Sequence, residues 1–207
     1  MPVIKEISTS VVIRMLVVMI CFIATAAQAA GDAENGAILA NTCLGCHGIT
    51  GYRNAYPSYR VPKLGGQHEE YIVIALQGYK NKTRTHPTMQ AHADSLSEQD
   101  MRDLAAFFAA QGELEKEAGS GSAGGQEKAA VCTSCHGPTG VSPTPNWPTL
   151  AGQHKDYLVE VIGQYQGGKR TDPVMAGLVM NLSAEDIEDI AKFYAAQSGL
   201  FTATYAD

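Results

Sequence analysis

The sequence predicts an all-α protein built as two similar helical domains in tandem. Three observations carry that reading. The chain repeats itself: Leu64-Gly65-Gly66-Gln67-His68 returns as Leu150-Ala151-Gly152-Gln153-His154, and Tyr71, Tyr79, Arg84-Thr85, Pro87, Leu96-Ser97 and Ala109-Ala110-Gln111 all recur at one constant offset. Apolar residues recur at helical spacing, as in Met101, Leu104, Ala105 and Phe108 and again in Ile187, Ile190, Ala191 and Tyr194, whereas no stretch alternates as a half-buried strand would. A Cys-Leu-Gly-Cys-His segment at 43–47 has a partner, Cys-Thr-Ser-Cys-His, at 132–136.

Residues 1–29 read as a signal peptide. Lys5 and Arg14 precede an apolar run from Met15 to Ala27, and Ala27-Gln28-Ala29 supplies a small-x-small cleavage site. The run is short for a membrane span, which takes about 20 apolar residues. Removing Lys5, Arg14 and Glu6 moves the net charge from −6 to −7. An acidic balance of this size argues against nucleic acid as a partner. The first domain is placed at residues 30–112. A linker follows at 113–124, with a Gly/Ser-rich second part, and the second domain occupies 125–207.

Each domain is read as three helices and long loops. The first helix runs from about Ala33 into the first Cys pair, with Gln126 to Cys135 as its counterpart. The second spans Glu69–Asn81, matched by Lys155–Gln166. The third opens at Ser97-Glu98-Gln99-Asp100 and at Ser183-Ala184-Glu185-Asp186, both resembling capping boxes. The first copy carries extra, Tyr-rich residues in the Gly51–Val61 loop. About 80 residues per domain is a size at which apolar burial alone is marginal, so each domain calls for a prosthetic group that completes its core.

C-x-x-C-H is the pattern of covalent haem attachment. Cysteines three residues apart face one side of a helical turn, where each thiol reaches one vinyl group of a porphyrin. The following histidine then lies under the ring. Cys43, Cys46, Cys132 and Cys135 are therefore assigned to two haem c groups, with His47 and His136 as iron ligands. Zinc fits poorly, because it takes four ligands per site and each motif brings three.

The repeat tests candidates for the opposite axial position. A ligand needed twice must occur twice. Met89 and Met175 match, each two residues after a proline and seven before a Leu-Ser, in what reads as a loop. Met101 faces Ile187, Met180 faces Asp94, and His86 and His92 face Asp172 and Leu178, so none of these is shared. His68 and His154 do match, but each stands where a helix begins and reads as exposed. Imidazole opposite thioether stabilises Fe(II) and raises the potential. With both positions filled by protein, the ligation favours electron transfer over catalysis. The supporting set is Pro62 and Pro148, whose carbonyls are candidates to hold the ligand histidines, and Tyr79, Arg84, Tyr165 and Arg170, candidates to bind or balance haem propionates.

The paired Cys-x-x-Cys-His-Gly, the paired Pro-x-Leu-x-Gly-Gln, and Met89 and Met175 ahead of Leu-Ser resemble the class I cytochromes c, and specifically the dihaem cytochrome c4 family, over the whole exported chain. The resemblance implies two class I haem domains related by a pseudo-twofold axis, in a periplasmic monomer. It implies a shuttle of single electrons from a membrane cytochrome complex to a terminal oxidase or reductase, with peripheral membrane association compatible with the sequence. The haem subunit of flavocytochrome c dehydrogenases is similar and stands as the alternative, with a dihaem peroxidase behind it. Charge is uneven: residues 31–112 hold 7 basic and 8 acidic side chains, residues 125–207 hold 5 and 9. The two domains are therefore expected to favour different partners.

Overall fold

A computed structural model describes residues 30–112, 114 and 123–205. The proposed signal peptide, and all of the proposed linker except Leu114, Ala123 and Gly124, lie outside the described residues. In the first half the helices are α1 (Ala33–Leu39), α2 (Asn41–His47), α3 (Glu69–Lys80), α4 (Pro87–Ser95) and α5 (Glu98–Ala109). The second half holds α6 (Ala123–Lys128), a 3-10 turn (Ala129–Val131), α7 (Thr133–His136), α8 (Lys155–Gln166), α9 (Pro173–Val179) and α10 (Ala184–Ala195). Only isolated bridges, and no strands, occur among the described residues.

The same packing recurs in each half. In the first, α5 packs against α1 and α3; in the second, α10 packs against α6 and α8. Both closing helices begin as their sequence predicts. Ser97 accepts from the Asp100 amide, Ser183 accepts from that of Asp186, and each aspartate bonds back to the serine N–H. Their apolar faces form two cores. One gathers Leu44, Ile72, Leu104, Phe107 and Phe108; the other gathers Leu158, Ile190, Phe193 and Tyr194.

Gly36 lets α1 cross α5 closely. A Cβ there would lie 2.0 Å from the Asp103 carbonyl oxygen. Asp103, itself 3 % exposed, ties the crossing together by accepting from the Asp32 amide at 2.8 Å and the Asn35 side chain at 2.7 Å. In the second half the corresponding Asp189 accepts instead from Lys128 on α6, at 2.7 Å.

Two expectations are corrected. The helix expected from Ala33 into the Cys pair is divided at Ala40, although the bonds Ala40 N→Gly36 O and Leu44 N→Ala40 O carry the i→i−4 pattern across the break. The stretches around Met89 and Met175, expected as loops, are helices α4 and α9. Each has Pro at its start, and each has an N-cap side chain, His86 or Asp172, accepting from the Met89 or Met175 amide.

The described residues from Gly31 onward form one compact unit. The halves meet through reciprocal contacts. Thr85 N donates to Lys169 O at 2.8 Å, and Thr171 N to Thr83 O at 3.1 Å. Gly66 and Gly152, with φ of 78° and 74°, adopt the left-handed conformation that turns the chain into Gln67 and Gln153. The amide of Gln67 bonds both the N–H and the C=O of Thr149, and that of Gln153 both those of Lys63. The extra loop of the first half also crosses: Arg53 and Arg60 pair with Asp156 at 2.9 and 3.3 Å, and Tyr59 packs on Tyr157. The tail returns to the first half. Phe201 exchanges backbone bonds with Gly65, Ala203 is buried in the first core, and Thr204 N donates to Gln111.

Candidate functional site

Helix α2 places Cys43 and Cys46 one turn apart and ends on His47. In the second half Cys132 stands at the start of α7, Cys135 lies on it, and His136 ends it. All four cysteines are half-buried, and none is joined to another in a disulfide. His47 and His136 are buried, 9 % and 5 % exposed. Their Nδ1 atoms lie 2.9 Å from Pro62 O and 2.8 Å from Pro148 O. A carbonyl only accepts, so Nδ1 carries the proton and Nε2 keeps its lone pair. Burial pushes both imidazoles below the ordinary histidine pKa, with the proline carbonyls acting in the opposite sense. Each histidine is thereby neutral and oriented by the carbonyl of Pro62 or Pro148, with its Nε2 lone pair left over.

Met89 and Met175 occupy the third positions of α4 and α9 and are half-buried. Helix α4 packs on α3, and α9 on α8. Each methionine is thus carried by a capped, packed turn.

Arg84 and Arg170 are not at the surface. They are 9 % and 3 % exposed and face each other across the junction in an isolated antiparallel bridge. Arg84 bonds the Tyr71 hydroxyl at 3.3 Å and lies over the Tyr71 and Tyr79 rings. Arg170 bonds Tyr157 and Tyr79 hydroxyls at 3.3 Å and Gln164 at 2.9 Å, and lies over the Tyr157 and Tyr165 rings. Among the described residues neither guanidinium pairs with a carboxylate, and Arg170 Nη1 has no hydrogen-bond partner. Two adjacent buried cations without a counter-charge are costly. The arrangement fits an anionic group at the junction, as the carboxylates of a haem would supply.

His68 and His154 are corrected from exposed to half-buried. His68 Nε2 lies 3.0 Å from Ser142 O of the other half. Burial, then the cations Lys63 and Arg60, push His154 down to about 4. Sequence reasoning also passed over Gln67, Gln153, Tyr71, Tyr157 and Asp156 as functional residues. The two glutamines and two tyrosines carried a signal, since each recurs in both copies, but repetition alone did not say that the copies bind each other through them.

The family model for cytochrome c matches residues 33–111. Cytochrome c4 of Pseudomonas aeruginosa is 34 % identical over 182 residues, 81 % of this chain and 89 % of that protein. A thiosulfate dehydrogenase electron acceptor of Stutzerimonas stutzeri is 28 % identical over 75 % of this chain and 79 % of that one. The crystal structure of reduced recombinant cytochrome c4 from Pseudomonas stutzeri superposes with a TM-score of 0.66 at 30 % identity, covering 81 % of this chain and all of the other (100 %). With its duplicated motifs and mirrored helical halves, the chain belongs to the cytochrome c4 family: electron-transfer proteins, not enzymes, that carry covalently bound haem c.

Proposed function

We propose that this protein is an exported, periplasmic carrier that takes up single electrons at one half and delivers them from the other. The observation that carries the reading is the twofold occurrence of one arrangement: a C-x-x-C-H helix end whose histidine is buried, neutral, and held through Nδ1 by a proline carbonyl. Cys43 and Cys46 hold one haem and Cys132 and Cys135 the other. His47 and His136, through Nε2, and Met89 and Met175, through their sulfurs, would hold the haem iron. When bound, the haem iron supplies reversible one-electron chemistry. The chain's own residues do the rest. The ligands close the coordination sites, the proline carbonyls fix the imidazole planes, and the cores keep water away. Arg84, Arg170, Tyr79 and Tyr165 would bind or balance the propionates at the junction. Residues 30–112 and 125–207 act as the two haem domains, joined by 113–124 and exported by the signal peptide at 1–29.

The donor in this reading is a membrane cytochrome complex, and the acceptor a terminal oxidase or reductase. No helix among the described residues is long and apolar enough to cross a membrane, which accords with a carrier that docks and leaves. The similarity to a thiosulfate dehydrogenase electron acceptor favours a second reading, in which the donor is one dedicated dehydrogenase. Intact-protein mass tests the haem assignment: wild type carries two haem additions, while Cys43→Ser/Cys46→Ser and Cys132→Ser/Cys135→Ser each keep one. Two haems retained in either double variant would refute it. Stopped-flow reduction by a purified dehydrogenase against a membrane quinol-oxidising complex separates the two donors.

A further inference from the structure

We propose that Gln67 and Gln153 are positioning residues for the ligand histidine of the opposite half, Gln153 for His47 and Gln67 for His136. The proposal rests on the reading of those histidines as axial ligands. Its observation is that each histidine and each glutamine hold the two ends of one peptide group. The Pro62–Lys63 peptide accepts from His47 Nδ1 through Pro62 O at 2.9 Å, and donates through Lys63 N to Gln153 Oε1 at 3.0 Å. The Pro148–Thr149 peptide accepts from His136 Nδ1 at 2.8 Å, and donates through Thr149 N to Gln67 Oε1 at 2.9 Å. Each chain of bonds therefore starts at one ligand histidine and ends on a side chain of the other half.

The glutamines are built to stay in place. Both are 5 % exposed. Gln153 Oε1 also accepts from His154 N at 3.0 Å, and its Nε2 donates to Lys63 O at 3.0 Å. Gln67 repeats this with His68 N at 3.1 Å and Thr149 O at 3.0 Å. Three bonds fix each amide, and they leave only one assignment of its oxygen and nitrogen.

The consequence follows from peptide resonance. A peptide whose N–H is accepted has a more negative carbonyl oxygen, because chained hydrogen bonds polarise one another by about 10–30 % per bond. A stronger acceptor at Nδ1–H makes the imidazole more basic at Nε2. A more electron-rich ligand favours the ferric ion. Removing a glutamine amide must then raise the potential of the haem in the other half. Interface packing alone predicts no such crossing.

The experiment uses the holo-protein with 15N-labelled histidine. Gln153→Leu and Gln67→Leu are titrated electrochemically, and each potential is assigned by following the ring signals of His47 and His136 in NMR spectra. In Gln153→Leu the His47 half is expected to show roughly a twofold higher ferrous/ferric ratio at a given potential, about 18 mV upward. The Nδ1–H signal of His47 moves toward a weaker hydrogen bond, and the His136 half is unchanged. Gln67→Leu gives the mirror result. A shift in the substituted residue's own half, an equal shift in both, or no shift would overturn the proposal. Should a leucine variant fail to retain two haems, the corresponding Gln→Asn, shorter by one methylene, is read in its place with the same crossed result required. Failure of the ligand reading itself is distinguishable, because it shows in wild type as an iron that is not low-spin.

Discussion

Gly36→Ala gives the most local test of how α1, the helix that leads into the first Cys pair, is held. The added Cβ would lie 2.0 Å from Asp103 O and 2.6 Å from the carbonyl carbon. Both are backbone atoms in the middle of α5, so no side chain can swing aside. Normal contact is about 3.4 Å or more, and α1 must move outward by more than 1 Å, on the order of an overpacked core. That motion stretches the bonds from Asp32 N and Asn35 Nδ2 to the buried Asp103 carboxylate. Overpacking costs about 1–3 kcal/mol, and weakening two bonds to a charged acceptor adds about 1–3 kcal/mol. Helix propensity returns less than about 1 kcal/mol. The net expectation is a loss of about 2–5 kcal/mol, or a melting temperature lower by roughly 5–15 °C. Gly45 is the internal control. It lies on α2 between the two cysteines, and a Cβ there meets nothing within 4 Å, so Gly45→Ala is expected to be neutral or stabilising by up to about 1 kcal/mol. Unfolding of both holo-variants followed by circular dichroism and by haem absorbance decides. If Gly36→Ala melts within about 1 kcal/mol of wild type, or Gly45→Ala costs as much as Gly36→Ala, the account of the α1–α5 crossing is wrong.

Three further outcomes are expected. Met89→Ala and Met175→Ala each open one iron, so each variant binds cyanide at one haem only and lowers that haem's potential; cyanide binding at neither haem would remove these methionines from the ligand set. His154, depressed by burial and by Lys63 and Arg60 to about 4, is neutral when folded, whereas the unfolded chain binds a proton near pH 6.5. Its contribution is therefore fully present above about pH 6.5 and is lost as pH falls toward about 4. His154→Asn is expected to flatten that part of a stability-against-pH curve, and an unchanged slope would contradict it. The uneven charge of the two halves predicts that on-rates with oxidant and reductant depend differently on ionic strength; two indifferent rates in stopped-flow would sink that expectation.

What was legible in the sequence depended on local chemistry. Cys-x-x-Cys-His fixes the attachment residues by spacing, and Ser97 with Asp100 marks a helix start using four consecutive residues. The bounds Lys155–Gln166 follow from apolar periodicity and hold in the structure. The segments of Met89 and Met175 lack apolar periodicity, so the sequence alone predicts loops there. Their helices come instead from an N-cap and a Pro at the first turn, and Asp172-Pro173 was the visible sign of it. Arg84 and Arg170 illustrate the other limit. Whether an arginine is solvated or buried depends on which segments pack around it, and here both are buried where the two repeats bring Arg84 and Arg170 against each other. The same holds for Asp156, whose partners Arg53 and Arg60 come from the one loop that the repeats do not share.

The central claim is two irons, each closed by one histidine and one methionine. An optical redox titration of the purified holo-protein, repeated with excess cyanide, tests it most directly. The account predicts uptake of two electrons in one-electron steps, low-spin spectra throughout, and no change on adding cyanide. A single electron per protein, or a resting iron that binds cyanide, would contradict it.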